Sequence, residues 1–150
     1  MTIHPGTFME QTLKLAEEAA LVGEVPVGCV IVREGQVIAT ARNEVMEHLD
    51  VTAHAEVLAL RRAAQALGSR ILEGCDLYVT LEPCPLCAQA ISFARIARVY
   101  YGAADPKAGG IDHGPRIFTH ALHKPEVYGG IMEQAACAQL KAFFQGLRGK

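Results

Sequence analysis

The sequence predicts an α/β protein, a three-layer α/β/α sandwich on a mixed sheet. Three observations predict it. Helical and strand patterns alternate along most of the chain. Two early β-branched runs are joined by a tight turn at Glu34-Gly35, so they pair antiparallel. The later strands are each separated by a helical segment, which favours parallel pairing and puts helices on both faces.

The elements follow in order. Phe8 to Val22 carries Phe8, Met9, Thr12, Leu13, Leu15, Ala16 and Ala19 at near-helical spacing. Gly23 is a stop and Pro26 blocks continuation. Val27 to Arg33 is β-branched and apolar and reads as a buried strand, with Gln36 to Ala41 as its returning partner. Thr52 to Leu67 is a run of helix formers closed by Gly68. Asp76 to Leu81 is a short apolar strand. Pro85 to Ala94 is a helix, and Arg98 to Tyr101 another strand. Asp105 to Gly114 is rich in Gly and Pro and reads as a loop. Val127-Tyr128 is a last short strand, and Ile131 to Leu147 a final helix.

With 150 residues, 51% hydrophobic and 20% charged, the expectation is one globular domain over 1–150. No apolar run approaches the roughly 20 residues a membrane span needs. The first residues lack the basic-then-apolar pattern of a secretory signal, so a cytoplasmic location is expected. The net charge of −2 gives no overall basic footprint for nucleic acid. From Arg98 onward the balance reverses: Lys107, Arg116, Lys124, Lys141, Arg148 and Lys150 join it against Asp105, Asp112, Glu126 and Glu133.

Five cysteines, an odd count, argue against a disulfide framework. Cys29, in V-G-C-V-I-V, reads as a small buried hydrophobe, and Cys75 and Cys137 as structural thiols. Cys84 and Cys87 form one Cys-x-x-Cys at the start of a helix, with Pro85 at a position that tolerates proline. His54 and Glu56 fall in the first turn of the Thr52–Leu67 helix. Helix starts carry partial positive charge, which favours thiolate, the metal-binding form. A His/Cys/Cys set leaves one tetrahedral position of Zn²⁺ open, the mark of a catalytic site. Glu56 can then stand near that position without ligating and handle protons. Taken alone, the Cys-x-x-Cys is open between a metal site, a redox pair and a packing coincidence, and His54 and Glu56 alone are ordinary helix-end residues.

Together they read H-x-E…P-C-x-x-C, the signature of zinc deaminases. V-P-V-G (Val25 to Gly28), Asn43, D-V-T-A-H-A-E (Asp50 to Glu56), L-Y-V-T-L-E-P-C-P-L-C (Leu77 to Cys87), A-R-I-A-R-V-Y-Y-G-A (Ala94 to Ala103) and D-P-K (Asp105 to Lys107) resemble the bacterial tRNA adenosine deaminases, within the cytidine-deaminase-like superfamily. The resemblance runs from about Phe8 to Phe144. It implies a five-stranded α/β/α fold, a homodimer, and conversion of the wobble adenosine of a tRNA anticodon to inosine. By position it implies that His54, Cys84 and Cys87 hold Zn²⁺ and that Glu56 shuttles protons. It places Asn43, Pro26, Val27, Ala55, Lys107 and Phe144 among the substrate contacts, with the Cys84 backbone N–H also facing the substrate and Phe143 beside the RNA-binding surface.

The chain departs from that pattern in three places. Gln89 stands where many members have a small residue. Leu122-His123-Lys124-Pro125 replaces an N-H-x-V segment that helps hold RNA, with His120, His123 and Lys124 as candidate substitutes. The sequence runs to Lys150 without a long basic tail. The alternative is a deaminase of a free base or nucleoside such as guanine or cytosine. Two other readings are a non-catalytic zinc module and a redox dithiol.

Overall fold

The computed structural model describes residues 5–148. Helix α1 is Pro5–Leu21, and the strands β1 and β2 are Gly28–Arg33 and Gln36–Arg42. A four-residue helix α2, Val45–His48, precedes α3, Ala55–Leu67. Then come β3, Cys75–Leu81; α4, Pro85–Phe93; β4, Arg98–Ala103; a 3₁₀ turn, Ile117–Thr119; β5, Glu126–Tyr128; and α5, Glu133–Arg148. The five strands form one sheet in the order β2-β1-β3-β4-β5. β1 pairs antiparallel with both β2 and β3, while β3–β4 and β4–β5 are parallel. This is the mixed α/β/α sandwich the sequence predicts.

Strand alternation divides the core. On β1, Cys29 and Ile31 join the layer with Ala55, Ala59, Ala63, Ala88 and Ile91 of α3 and α4. Val30 and Val32 point the other way, toward Phe8, Met9 and Leu13 of α1 and Ala136 of α5. On that second face Tyr78 and Tyr100 stack at 4.6 Å, and Tyr100 and Tyr128 at 5.1 Å, across three strands. Beside them Arg98 pairs with Asp76 at 3.4 Å and Glu126 at 2.9 Å, so this cation is occupied within the sheet.

Three differences from the sequence expectations have local causes. α3 begins at Ala55, not Thr52, because the Asp50 Oδ1 accepts both the Thr52 N–H at 2.9 Å and its hydroxyl at 2.7 Å, an Asx-type turn that competes with helix. α5 begins at Glu133, not Ile131, with Met132 in a left-handed conformation just before it. α2 has no counterpart in the expected elements, because four residues are too few for a periodic signal.

The packing of α1 on β1 is set by Gly28. A Cβ there would lie 2.2 Å from the Thr12 carbonyl oxygen and 2.8 Å from the Leu15 Cβ. The obstacle is helix backbone, which cannot step aside as a side chain tip can. Gly28→Ala is therefore expected to lower stability by about 1–3 kcal/mol, read as a reduced urea midpoint with unchanged slope.

Candidate metal centre and base cavity

The starts of α3 and α4 meet on the face of the sheet covered by those helices. His54 is the N-cap of α3 and Cys84 the N-cap of α4, both in extended conformation, with Pro85 in the first turn of α4. The His54 Nδ1 stands 3.5 Å from the Cys84 Sγ and 3.4 Å from the Cys87 Sγ. In tetrahedral zinc, bonds of about 2.3 Å to sulfur and 2.0–2.1 Å to nitrogen put N and S roughly 3.6 Å apart. The donors are spaced for that ion, and their chemistry suits it. A second group, Glu44, Glu47 and His48, is also compact. Arg42 and Arg62 already pair with its carboxylates at 3.4 and 3.6 Å.

Hydrogen bonds and burial shift the three donors in different directions. The Cys84 thiol is lowered to about 4, first by a hydrogen bond from Cys87 and then, against its burial, by His54. The Cys87 thiol is pushed up, first by that same shared hydrogen bond and then by burial. Metal binding needs the deprotonated forms, so a cation arriving here displaces protons from these donors. The His54 imidazole is raised, chiefly by its hydrogen bond to Cys84. Glu56, in the first turn of α3, is buried, and burial lifts its carboxyl to about 7, with the Cys84 charge adding to the rise. Cys29 lies behind it, its thiol raised by burial and by Glu56. Cys75 is buried as expected, whereas Cys137 is exposed on α5 and has no packing role.

A cavity of about 520 Å³ opens onto this group. His54, Glu56 and Cys84 face it, together with Val27, Asn43 and Phe144 from the expected substrate contacts, and Phe143. Three other expected contacts fall elsewhere. Pro26 lines a separate cavity between α1 and α5. The Ala55 N–H is already taken by the Asn43 Oδ1 at 2.8 Å, so it is not a free donor for a substrate. Lys107 is exposed and does not line the cavity. His123 is tied to the far end of α4: its Nε2 meets the Ile96 carbonyl at 2.7 Å, and its own carbonyl accepts the Ser92 hydroxyl at 2.7 Å. Gln89 shares a cavity of about 630 Å³ with it there, away from the metal donors, and His120 and Lys124 are exposed.

Two carboxyl groups absent from the expected site flank the cavity. Glu82 has a fully buried side chain. It accepts the backbone N–H groups of Asp105, Ile111, Asp112 and His113 at 3.0–3.2 Å and meets the His113 ring at 2.7 Å. Burial alone would raise its carboxyl, but those amides and the ring hold it below the usual glutamate range. The loop from Asp105 to His113 is thereby wrapped onto the start of α4. Gly110 fits because a Cβ would sit 2.5 Å from the Pro85 N. Glu24 is the other, buried at the opposite wall. Its signal in the sequence is a lone acidic residue inside an apolar segment, V-G-E-V-P-V-G.

A three-donor centre at two helix starts, a buried unligated carboxyl group and an α/β/α sheet define a zinc-dependent deaminase fold. The chain belongs to the family described as the cytidine and deoxycytidylate deaminase zinc-binding region, whose model matches residues 4–103. Zinc is therefore its cofactor, and the chain is a hydrolytic deaminase. Within the family it is 50% identical to the tRNA-specific adenosine deaminase of Agrobacterium fabrum over 143 residues, covering 94% of each chain. A solved structure from studies of A-to-I editing by tRNA:A34 deaminases at the wobble position superposes with a TM-score of 0.88 at 51% identity, covering 89% of this chain and 99% of the other. The guanine deaminase of Bacillus subtilis gives a TM-score of 0.66 at 43% identity, over 68% of this chain and 66% of the other.

Cys87→Ala removes one of three donors and leaves an incomplete set. We expect the purified variant to carry less than about a tenth of the parent's zinc by elemental analysis, given the tenfold-or-greater losses that even supporting-shell changes cause.

Proposed function

We propose that this chain converts adenosine to inosine at the wobble position of a tRNA anticodon, by zinc-dependent hydrolysis. The observation that carries the reading is Glu56: a buried carboxyl group, not among the three clustered donors, facing the cavity of about 520 Å³ beside them. A structural zinc module has no use for such a group. Full-length likeness to tRNA-specific adenosine deaminases directs the choice of substrate.

His54, Cys84 and Cys87 hold the ion. Zinc, when bound, supplies a Lewis acid that acidifies the attacking water. Glu56 takes the proton that water gives up. It delivers a proton to the ring nitrogen of the base, and then one to the departing amine, so adenosine and water become inosine and ammonia. With its carboxyl lifted to about 7 by burial, Glu56 is suited both to accept and to return a proton near neutrality. Asn43, Val27 and Phe144 shape the cavity around the base. Asn43 also meets the α3 start through Ala55 and the Val25 carbonyl through its Nδ2 at 3.3 Å. A base in an anticodon loop is already largely unpaired, so drawing it into the cavity costs little.

The reading extends to a single deaminase domain acting as a homodimer in the cytoplasm on a tRNA anticodon stem-loop. Among the described residues no helix is long and apolar enough to cross a membrane. A second reading, deamination of a free base such as guanine, is favoured by the partial likeness to guanine deaminase.

Ammonia release from an anticodon stem-loop, guanine, cytosine and adenosine separates the two. Inosine in the stem-loop is the expected product, and turnover of free guanine alone would replace this reading with the second. Glu56→Gln is expected to keep its zinc and its fold while turnover falls by a factor of about 100 or more. Undiminished turnover in that variant would remove Glu56 from the proton path.

A further inference from the structure

The geometry points to Glu24 as a positioning residue for the base cavity: a carboxyl group that fixes α2 as one cavity wall and thereby sets how tightly substrate is held. The inference rests on the deaminase reading above and adds to it a residue that neither motif nor metal centre includes.

Glu24 is 2% exposed. Its Oε1 accepts the Met46 N–H at 3.1 Å and its Oε2 accepts the Glu47 N–H at 2.8 Å. Those are first-turn amides of α2, which no helical carbonyl can reach. The local N-cap, Glu44, makes no side-chain capping bond. A residue more than twenty positions earlier in the chain therefore does the capping. A four-residue helix has almost no stability of its own, and none of its residues is buried. Beside the more exposed Arg42–Glu47 pair at 3.4 Å, the Glu24 carboxyl is the buried polar tie that holds it.

Val45 and Met46 of this helix line the cavity, and Asn43 leads into it. The tie continues toward the reacting centre. The Asn43 N–H donates to the Val27 carbonyl at 3.1 Å, and its side chain links the Val25 carbonyl to the Ala55 N–H. Ala55 stands between His54 and Glu56. Glu24 lines the same cavity as the metal donors, but both of its carboxylate oxygens are turned to the α2 amides and not to His54, Cys84 or Cys87. Loosening α2 should thus weaken the grip on the base and leave the proton chemistry at Glu56 in place. A purely structural buried acid would change stability and leave the apparent affinity alone.

The zinc-loaded parent, Glu24→Gln and Glu24→Ala are compared by backbone amide exchange in NMR and by steady-state kinetics on an anticodon stem-loop. Removing both acceptors in Glu24→Ala is expected to speed exchange at Met46 and Glu47 by about tenfold or more relative to α3 and α4, given the strength of a buried hydrogen bond to an acidic group. KM should rise by about fivefold or more with kcat within about threefold, the signature of lost uniform binding. Glu24→Gln keeps one acceptor oxygen and should fall between parent and alanine variant on both scales. An unchanged KM, a fall in kcat at constant KM, or unchanged exchange at both amides overturns the proposal. If the alanine variant does not fold, Glu24→Gln decides alone by the same two readouts. A parent that forms no inosine refutes the functional reading instead, and the exchange comparison then still decides whether Glu24 holds α2.

Discussion

The site depends on two helices being forced to begin side by side. α3 and α4 pack on one face of the sheet, and their first residues converge where β3 ends and the chain turns from Leu81 into Cys84. Each helix start leaves unpaired N–H groups and a positive end to its dipole. Two positive ends pointing together are unfavourable unless something negative lies between them. Here the negative partners are the cysteine sulfurs, the donors that would hold a cation. The hydrogen bond between the two cysteines lowers the Cys84 thiol and raises that of Cys87. The small side chains that let the helices approach the sheet, Ala55, Ala59, Ala63 and Ala88, are thus as much a condition of the chemistry as the ligands themselves.

A second constraint follows from the first. A cavity placed at helix starts is walled by the loops that enter and leave them, and loops carry backbone amides that need partners. The chain meets this need with buried carboxyl groups. Glu82 gathers four amides of the loop after β4, and Glu24 gathers two of α2. Each substitutes for the ladder a strand or a longer helix would have supplied, so irregular backbone behaves as fixed wall. This is also why glycines cluster at Gly109 and Gly110: backbone drawn that close to Glu82 and to the α4 start leaves no room for a Cβ.

The architecture was legible in the sequence because its signals are periodic or local. The unbroken apolar runs of β1 and β3, the Glu34-Gly35 turn, and the stop at Gly68 each act over a few residues, and the fold uses them as they stand. The metal donors were legible because two helix starts each carry their ligands within a short motif. What stayed hidden is long-range. Glu24 and Glu82 look like ordinary acids until the fold brings distant amides to them, and α2 is too brief to leave a pattern. Pro26 and Ala55 adjoin true lining residues in sequence, but one faces the α1–α5 side and the other has its amide engaged. His123 sits where an RNA contact was expected, yet its ring and its carbonyl both serve to close the end of α4.

The double duty of Asn43 bears on how such a protein can acquire new preferences. One side chain both lines the cavity and fixes the first amide of the helix that starts at His54 and carries Glu56. A replacement there alters the cavity wall and the α3 start together, so that position has little structural freedom. Phe143, Phe144 and Leu147 reach the same cavity from α5, a separate element that carries no donor. The terminal helix is where a change of accepted base can be explored at the lowest risk to the catalyst.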